Sequence, residues 1–242
     1  MSLRKVPLVD GEYYHIYNRG NNKQIIFLDD EDRDRFIKLL FLCNSTKGIN
    51  FKDDIIQPKI SAWDFERGDQ LVAIGAWVLM PNHFHLYLIA LPKQGFGRSN
   101  GKDEERNNIT EFMGKLCTAY AKYFNKKHNR TGSLFEGKFK SIHIEDEIQA
   151  KYLFSYIHLN PIKLIQSDWK EVGINNKTEA INFLNSYKWS SYNDYLLSKR
   201  PENLILNKEK FPDYFEDPNI FKKEIFEWLE IEEIEPTEAR LR

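Results

Sequence analysis

Cysteines are scarce in this sequence, which contains two of them, Cys43 and Cys117, in 242 residues. Two cysteines cannot form a disulfide framework, and neither belongs to a Cys-x-x-Cys pair of the kind that binds zinc or does redox chemistry. The sequence also lacks an uninterrupted run of about 18 apolar residues, the length that a membrane span needs, and its first residues lack the apolar segment of a signal peptide. We therefore expect a cytoplasmic protein with no membrane partner.

An excess of charge of one sign is also missing, since 35 basic residues face 36 acidic ones. This balance by itself argues against a strongly basic nucleic-acid binder. The charges are unevenly distributed, however: residues 201–242 contain 12 acidic and 6 basic side chains, so that the preceding 200 residues carry a net charge of +5. The average therefore hides a basic body and an acidic C-terminal segment.

One stretch of the basic body, residues 115–140, contains seven basic residues and a single acid, Glu136. The basic residues are Lys115, Lys122, Lys126, Lys127, Arg130, Lys138 and Lys140. Aromatic residues alternate with them, a mixture that favours phosphate neutralisation and base stacking. The alternative interpretation is a solvated helix face above an apolar stripe. We predict a DNA-binding track here.

Periodicity predicts an α+β protein. The predicted elements, in order, are a strand at 13–17, a helix after the acidic run 29–32, strands at 71–80 and 83–91, a helix at 109–124, a strand at 141–145 and a helix from 146 to Pro161. This order resembles a ferredoxin-like (RRM-like) antiparallel sheet with helices on one face, which leaves the other face free to meet a ligand. A Gly- and charge-rich loop is predicted between Pro92 and Asn108.

His83 and His85 form the first candidate site. Residues i and i+2 of a strand point to the same face, so the two imidazoles project together while Phe84 points into the core. Two neutral imidazoles held in this way make half of a divalent metal site. The alternative is that the two histidines simply belong to a polar face of the strand. The residues on both sides of them are apolar, however, and placing two imidazoles within a buried strand costs free energy that a function would explain.

Tyr152, Tyr156 and Asn160 form the second candidate site, on the helix that precedes Pro161. Their spacing of four places them over one another on one side of that helix. If Asn160 supplies an oxygen ligand to a metal, Tyr156 lies one turn away and can attack a bound phosphate. The alternative is that the tyrosines are half-buried core residues and Asn160 caps the helix.

Five blocks of sequence then resemble a known family. Residues 76–86 (AWVLMPNHFHL) resemble the HUH motif, histidine–hydrophobic–histidine, of single-tyrosine transposases. The whole pattern is most similar to the REP-associated tyrosine transposases. The other four blocks are residues 15–20 (HIYNRG), 129–141 (NRTGSLFEGKFKS), 156–163 (YIHLNPIK) and 188–192 (KWSSY). They follow the expected order between about residues 13 and 195. One departure is Lys138, where arginine is usual.

The resemblance implies that His83 and His85 are metal ligands, that Tyr156 is the nucleophile and that Asn160 is the third ligand. It implies a DNA transposase or endonuclease that uses Mg²⁺ or Mn²⁺ to cleave and rejoin single-stranded DNA through a 5′-phosphotyrosine. The expected domains are a transposase domain at 1–195, with an insertion at about 47–68, and an acidic, mostly helical extension at 196–242. A monomer and a homodimer both remain open.

For some other residues the sequence supports only weaker predictions. Arg19, in the turn after the first strand, is a candidate contact for a DNA hairpin, and a solvated turn residue is the alternative. His15 is expected to lie outside the site, and His158 is expected to pack away from it.

Two other functions stay open: a non-catalytic single-strand nucleic-acid (hairpin) binding module, and a metal hydrolase that uses water. The second is disfavoured because no carboxylate stands at ligand spacing from the two histidines.

Overall fold

A four-stranded antiparallel sheet forms the centre of the computed structural model, which describes residues 7–92, 107–196, 199–212 and 217–230. The strands are β1 (Tyr13–Arg19), β2 (Val72–Met80), β3 (His83–Ala90) and β4 (Lys140–Ile144). They lie side by side in the order β2-β3-β1-β4. With α1 (Asp30–Cys43) after β1 and α2 (Asn108–Lys127) after β3, the chain has the βαββαβ order of a ferredoxin-like fold. The predicted α+β class is confirmed.

The helices begin where the sequence provides capping side chains. The carboxylate of Asp29 accepts a hydrogen bond from the backbone N–H of Asp32 at the start of α1. Asp146 does the same for Gln149 at the start of α3 (Glu147–Leu159), and Asn107 caps α2. Each cap satisfies a backbone donor that the first helical turn leaves without a partner. Local chemistry therefore decides where these helices start.

Helices α1 and α2 cover one face of the sheet, as predicted. Ile16, Phe84 and Leu86 project from this face and are fully buried against Phe36 of α1 and Tyr120 of α2. The rings of Phe36 and Phe84 lie 4.8 Å apart, and those of Phe36 and Tyr120 lie 4.9 Å apart. Burial of such side chains contributes about 1.5–3 kcal/mol each to the free energy of unfolding. This face is the main core of the protein.

The second face is not free, which corrects the expectation that it would be open to a ligand. Helix α3 places Leu153, Phe154 and Ile157 in a second core with Tyr87 and Ile89 of β3. The physical reason is that β3 is apolar on both faces beyond His85, so both faces need cover. What remains for a ligand is the end of the sheet where β3 begins and β1 ends.

The C-terminal region adds further helices to this second layer. These are α4 (Trp169–Val172), α5 (Lys177–Ser186), α6 (Tyr192–Tyr195) and α7 (Pro218–Glu230). The predicted insertion contains short helical turns at Lys52–Ile56 and Ala62–Asp64. Most of the predicted 92–108 loop and residues 231–242 of the extension lie outside the described residues. No helix within the described residues is long and apolar enough to cross a membrane.

Gly75 of β2 allows the C-terminal region to approach the sheet. A Cβ at this position would lie 2.6 Å from the Phe211 ring, and that ring packs 5.0 Å from the Tyr87 ring. We expect Gly75→Ala to displace Phe211 and to lower the free energy of unfolding by about 1–3 kcal/mol. Urea denaturation measures this change.

Gly114 provides the matched control for that prediction. It lies exposed in α2, where a Cβ would meet nothing within 4 Å. Gly114→Ala should therefore leave the free energy of unfolding unchanged or raise it by up to about 1 kcal/mol. Equal effects of the two substitutions would contradict the packing argument.

Candidate active site

The two histidines of β3 lie on one face of the sheet, as strand alternation predicts. Their ring centroids are 4.9 Å apart, and Phe84 between them points into the opposite core. Pairing with β1 sets Tyr17 opposite His85 and Arg19 opposite His83. His85 is buried, whereas His83 is half-buried and its Nδ1 donates a 2.6 Å hydrogen bond to Oδ1 of Asn82. The pair therefore sits at the edge of the covered face.

A third histidine joins this pair. Nε2 of His15 lies 2.8 Å from Nδ1 of His85, and both rings are buried. We expected His15 to lie outside the site, and this expectation is wrong. Strand alternation already places His15 and Tyr17 on one face of β1, but the sequence does not give the register that brings that face against His85. Nε2 of His85 is left without a hydrogen-bond partner among the described residues.

Burial keeps all three imidazoles neutral. Desolvation lowers the pKa of His15 to about 3 and that of His83 to about 4, and it holds the pKa of His85 well below its ordinary value. Nearby positive charges lower these pKa values further. A neutral imidazole keeps the nitrogen lone pair that a metal ligand must offer. At neutral pH the site therefore offers ligand atoms rather than cations.

Tyr156 of α3 lies directly beside this cluster in the same chain. Its ring centroid is 5.4 Å from that of His85 and 6.3 Å from that of His15. The Tyr152 ring stacks on it at 6.2 Å, one helical turn earlier. Nζ of Lys170, in α4, lies 3.8 Å from the centroid of the Tyr156 ring. The structure thus brings together a phenol, neutral imidazoles and an ammonium group.

Asn160 begins a 3₁₀ turn, Asn160–Leu164, one helical turn after Tyr156. Its side chain is fully buried, and neither its Oδ1 nor its Nδ2 has a hydrogen-bond partner among the described residues. The side chain therefore does not cap α3, which was the alternative interpretation. Buried amides are almost always hydrogen-bonded, so one without a partner requires an explanation.

His158 packs as expected, beside the 188–195 segment. His158 is buried, with its ring nitrogens 2.8 Å from the backbone oxygen of Phe154 and 2.8 Å from Oγ of Ser191. Tyr192 and Tyr195 are buried in the second core. These residues hold α3 in place and do not reach the histidine pair.

Two of the predicted DNA-binding residues lie on the same face as the site. Arg19 stands opposite His83, and Lys140 stands opposite Tyr17 in the same row as His85. The guanidinium of Arg19 forms an ion pair with Glu136, with Nη2 at 2.9 Å from Oε1. Lys140 is exposed.

The predicted residues of α2 lie on the other face of the sheet. Lys115 donates to the backbone oxygen of Ser45 and pairs with Glu111. Lys127 contacts three carboxylates, and Lys122 and Lys126 are exposed. Two further predicted residues lie between α2 and β4: Arg130 donates to the Gln24 side chain, and Lys138 is exposed. The sheet thus separates the α2 part of the basic stretch from the histidines and Tyr156.

Asp29, Asp32 and His128 form a group with metal-like spacing on that other face. Nζ of Lys127 lies 2.8 Å from Asp29 and 3.1 Å from Asp32, so an ammonium group already provides the positive charge there. Asp32 also accepts a hydrogen bond from the backbone N–H of Leu28. These contacts explain why the Asp32 carboxylate is buried: it links α1 to Lys127 and His128 at the end of α2.

No protein-family model and no curated protein matches the chain. Among solved structures, it is similar to a REP-associated tyrosine transposase bound to a REP hairpin, with 14% identity over 81% of this chain and 86% of the other and a TM-score of 0.43. It is also similar to a structure described as a candidate transposase of Deinococcus radiodurans, with 17% identity over 63% of this chain and 93% of the other and a TM-score of 0.31. A third similar structure is tRNA(His) guanylyltransferase of Saccharomyces cerevisiae, with 13% identity over 88% of this chain and 87% of the other and a TM-score of 0.32. The first is a member of the group that the five sequence blocks resemble.

Proposed function

We propose that this protein cleaves and rejoins single-stranded DNA, with Tyr156 as the nucleophile. The observation that supports this most directly is the position of Tyr156, whose ring lies between a buried histidine cluster and an ammonium group within one chain. The family resemblance assigns the same tyrosine to this role. A phenol beside groups that bind phosphate and metal is suited to covalent attack on a phosphodiester.

The residues of the site fit a divalent metal ion. His83, His85 and Asn160 would hold it, because the imidazoles are neutral and because Nε2 of His85 and the Asn160 amide are buried without partners among the described residues. When bound, the metal polarises the scissile phosphate as a Lewis acid. Mixed nitrogen and oxygen ligands suit Mn²⁺ better than Mg²⁺, which prefers oxygen.

The covalent step exchanges one phosphorus–oxygen bond for another. The Tyr156 oxygen bonds to phosphorus, the bond from phosphorus to the 3′ oxygen breaks, the phenol gives up its proton, and the departing 3′ oxygen takes up a proton. The products are a 5′-phosphotyrosine and a free 3′-OH. Since the number of phosphodiester bonds is unchanged, a second 3′-OH can attack the phosphotyrosine and rejoin the strand without an external energy source.

Covalent trapping tests this proposal. The probe is a pool of oligonucleotides in which a hairpin is flanked by randomised single strands, labelled at the 3′ end and incubated with the full chain and Mn²⁺. We expect a labelled band that migrates with the denatured protein, and mass spectrometry should place the adduct on Tyr156. Salt-sensitive binding without an adduct would favour the non-catalytic binding module, and repeated turnover without an adduct would favour a water-using hydrolase.

We also predict that metal and DNA strengthen each other's binding. The residues that are positively charged at neutral pH and lower the pKa values of the three histidines are Lys163, Lys170 and Arg19. A phosphate offsets this positive charge, so the Mn²⁺ affinity of the Tyr156→Phe protein should rise about tenfold when single-stranded DNA is bound. Titration followed by electron paramagnetic resonance measures this change.

The control for this titration is the His83→Ala/His85→Ala protein, which reports the Mn²⁺ that DNA binds by itself. The difference between the two proteins is the coupling at the site. An Mn²⁺ affinity that is the same with and without DNA, after this correction, would contradict the predicted coupling.

A further inference from the structure

The contact between His15 and His85 lies close to the planes of both rings. The two nearest nitrogens are 2.8 Å apart, the ring centroids are 5.0 Å apart, and the angle between the ring planes is 24°. The centroid distance exceeds the nitrogen distance by about two ring radii, so the two nitrogens lie between the centroids and point at each other. The contact is therefore a directed N–H···N hydrogen bond and not face-to-face stacking.

His15 reaches His85 as a diagonal neighbour on the sheet. His15 lies opposite Tyr87 of β3, and His85 lies opposite Tyr17 of β1. Aromatic side chains at diagonal positions on one face are long enough to meet. The Tyr17 ring also packs 5.0 Å from the His15 ring, and both histidines are buried. The sheet and its side chains thus fix the position of His15.

The hydrogen bond couples the proton positions of the two histidines, because a neutral imidazole carries one N–H and one lone pair. If His85 donates from Nδ1, its Nε2 keeps the lone pair. If His15 donates instead, the proton of His85 lies on Nε2, which then cannot bind a metal. Either arrangement leaves one buried N–H without a partner among the described residues, on Nδ1 of His15 or on Nε2 of His85. Ligation by Nε2 of His85 therefore requires His15 to be the acceptor.

His83 has the same arrangement with a different partner. Its Nδ1 donates to Oδ1 of Asn82 at 2.6 Å, and Nδ2 of Asn82 donates to the backbone oxygen of Lys23 at 3.1 Å, which orients the amide. Metal-binding histidines almost always donate their other ring N–H to such an acceptor, which fixes the tautomer and makes the ligand more basic. Both histidines of the pair therefore have a neighbour at Nδ1 and are left with Nε2 for a metal.

We propose that His15 is a positioning residue, which accepts the Nδ1–H of His85 and holds His85 in the tautomer and orientation that bind the metal through Nε2. This inference rests on the proposed function, in which His85 is a metal ligand. His15 is not a ligand in this arrangement. The two nitrogens of an imidazole point in different directions, so a metal on Nε2 of His85 lies away from His15.

The test measures Mn²⁺ binding to the full chain without DNA, by titration followed by electron paramagnetic resonance. His15→Met removes the acceptor but keeps an apolar side chain of similar length, and it should weaken Mn²⁺ binding by about 10–100-fold. His15→Gln supplies an amide oxygen at nearly the reach of the imidazole Nε2 and should recover most of the lost affinity. Pulsed measurements should show imidazole nitrogen bound to Mn²⁺ in the unsubstituted chain and in His15→Gln.

His143 of β4 provides the matched control. It lies opposite Tyr14, so it faces the other side of the sheet from His15, and its Nε2 lies 2.9 Å from Oε2 of Glu12. His143→Met should leave the Mn²⁺ affinity unchanged.

Three results would overturn the inference. The first is a His15→Met protein that binds Mn²⁺ as tightly as the unsubstituted chain. The second is a loss in His15→Gln as large as that in His15→Met, which would make His15 a ligand or a packing residue. The third is an unsubstituted chain in which Mn²⁺ has no imidazole nitrogen bound.

The fate of this inference is separable from that of the proposed reaction. If adducts form on Tyr156 but His15→Met binds Mn²⁺ with unchanged affinity, the nucleophile stands and the positioning role fails. If the Mn²⁺ affinities change as expected but no adduct forms, the positioning role stands and the assignment of the reaction fails. Circular dichroism and urea unfolding verify that each variant is folded, and the recovery in His15→Gln separates the hydrogen bond from packing.

Discussion

Replacing Tyr156 with phenylalanine is expected to abolish the covalent protein–DNA adduct. The substitution removes the attacking oxygen and leaves the ring, its contact with Lys170 and its packing beside His85 in place. Adduct formation should fall by more than about 10³-fold, since the substitution removes the proposed nucleophile. Affinity for the DNA should stay within about twofold, because the lost interaction belongs to the transition state.

Tyr152 supplies the control for this experiment. It lies one turn earlier on α3, and its ring is stacked on that of Tyr156. Tyr152→Phe removes a phenol oxygen of the same kind from the same helix face and should retain the adduct. An adduct that persists in Tyr156→Phe and disappears in Tyr152→Phe would move the nucleophile to the neighbouring residue.

Asp194→Ala is expected to have the largest effect on stability. Asp194 of α6 is 1% exposed, and the guanidinium of Arg200 contacts both of its carboxylate oxygens at 2.6 Å. Burial raises the pKa of Asp194 although Arg200 opposes the shift, so its charge is costly and depends on this partner. Removing the carboxylate leaves a largely buried guanidinium without its counterion and should lower the free energy of unfolding by about 3 kcal/mol.

The same ion pair supports the second layer of the fold. Nη1 of Arg200 donates to the backbone oxygen of Lys188 at 2.7 Å, and the adjoining Ser190 forms a bridge with Val78 of β2. Loss of Asp194 therefore loosens the segment that holds α3, and with it Tyr156, against the sheet. Thermal and urea unfolding followed by circular dichroism measure the change.

Asp30 is the control for an ion pair that should matter little. Its partners are Lys188 at 3.2 Å and Arg33 at 3.5 Å, and the side chains of Asp30 and Lys188 are more than 60% exposed. Asp30→Ala should change the free energy of unfolding by less than about 1 kcal/mol. The double substitution Asp194→Ala/Arg200→Met removes both buried charges and should recover part of the lost stability. Equal effects of Asp194→Ala and Asp30→Ala would contradict the buried-pair argument.

Several parts of the site could be predicted from the sequence because they depend on spacing along one element. Alternation on a strand places His83 and His85 on one face, and the helical repeat places Tyr156 and Asn160 on one side of α3. Capping residues and apolar periodicity likewise predict the order of strands and helices. These features are local, so a window of a few residues contains the information.

His15 and Lys170 could not be assigned in this way. His15 joins the site through the register between β1 and β3, strands that are separated by more than 60 residues in the sequence. Lys170 reaches Tyr156 because α4 folds back after the turn that follows α3. The prediction of the basic stretch has the same weakness. Local sequence patterns do not show that α2 and the histidines lie on opposite sides of the sheet.

By itself, then, the sequence determined the α+β order, the shared face of His83 and His85, and the helix position of Tyr156, since these follow from backbone periods of two and 3.6 residues. Only the tertiary structure decided which cations accompany the phenol, that the second face of the sheet is largely covered, and that His15 contacts His85. These outcomes depend on the register of distant strands and on the packing of α3 and α4, which arise when the apolar surfaces of the whole chain are buried together.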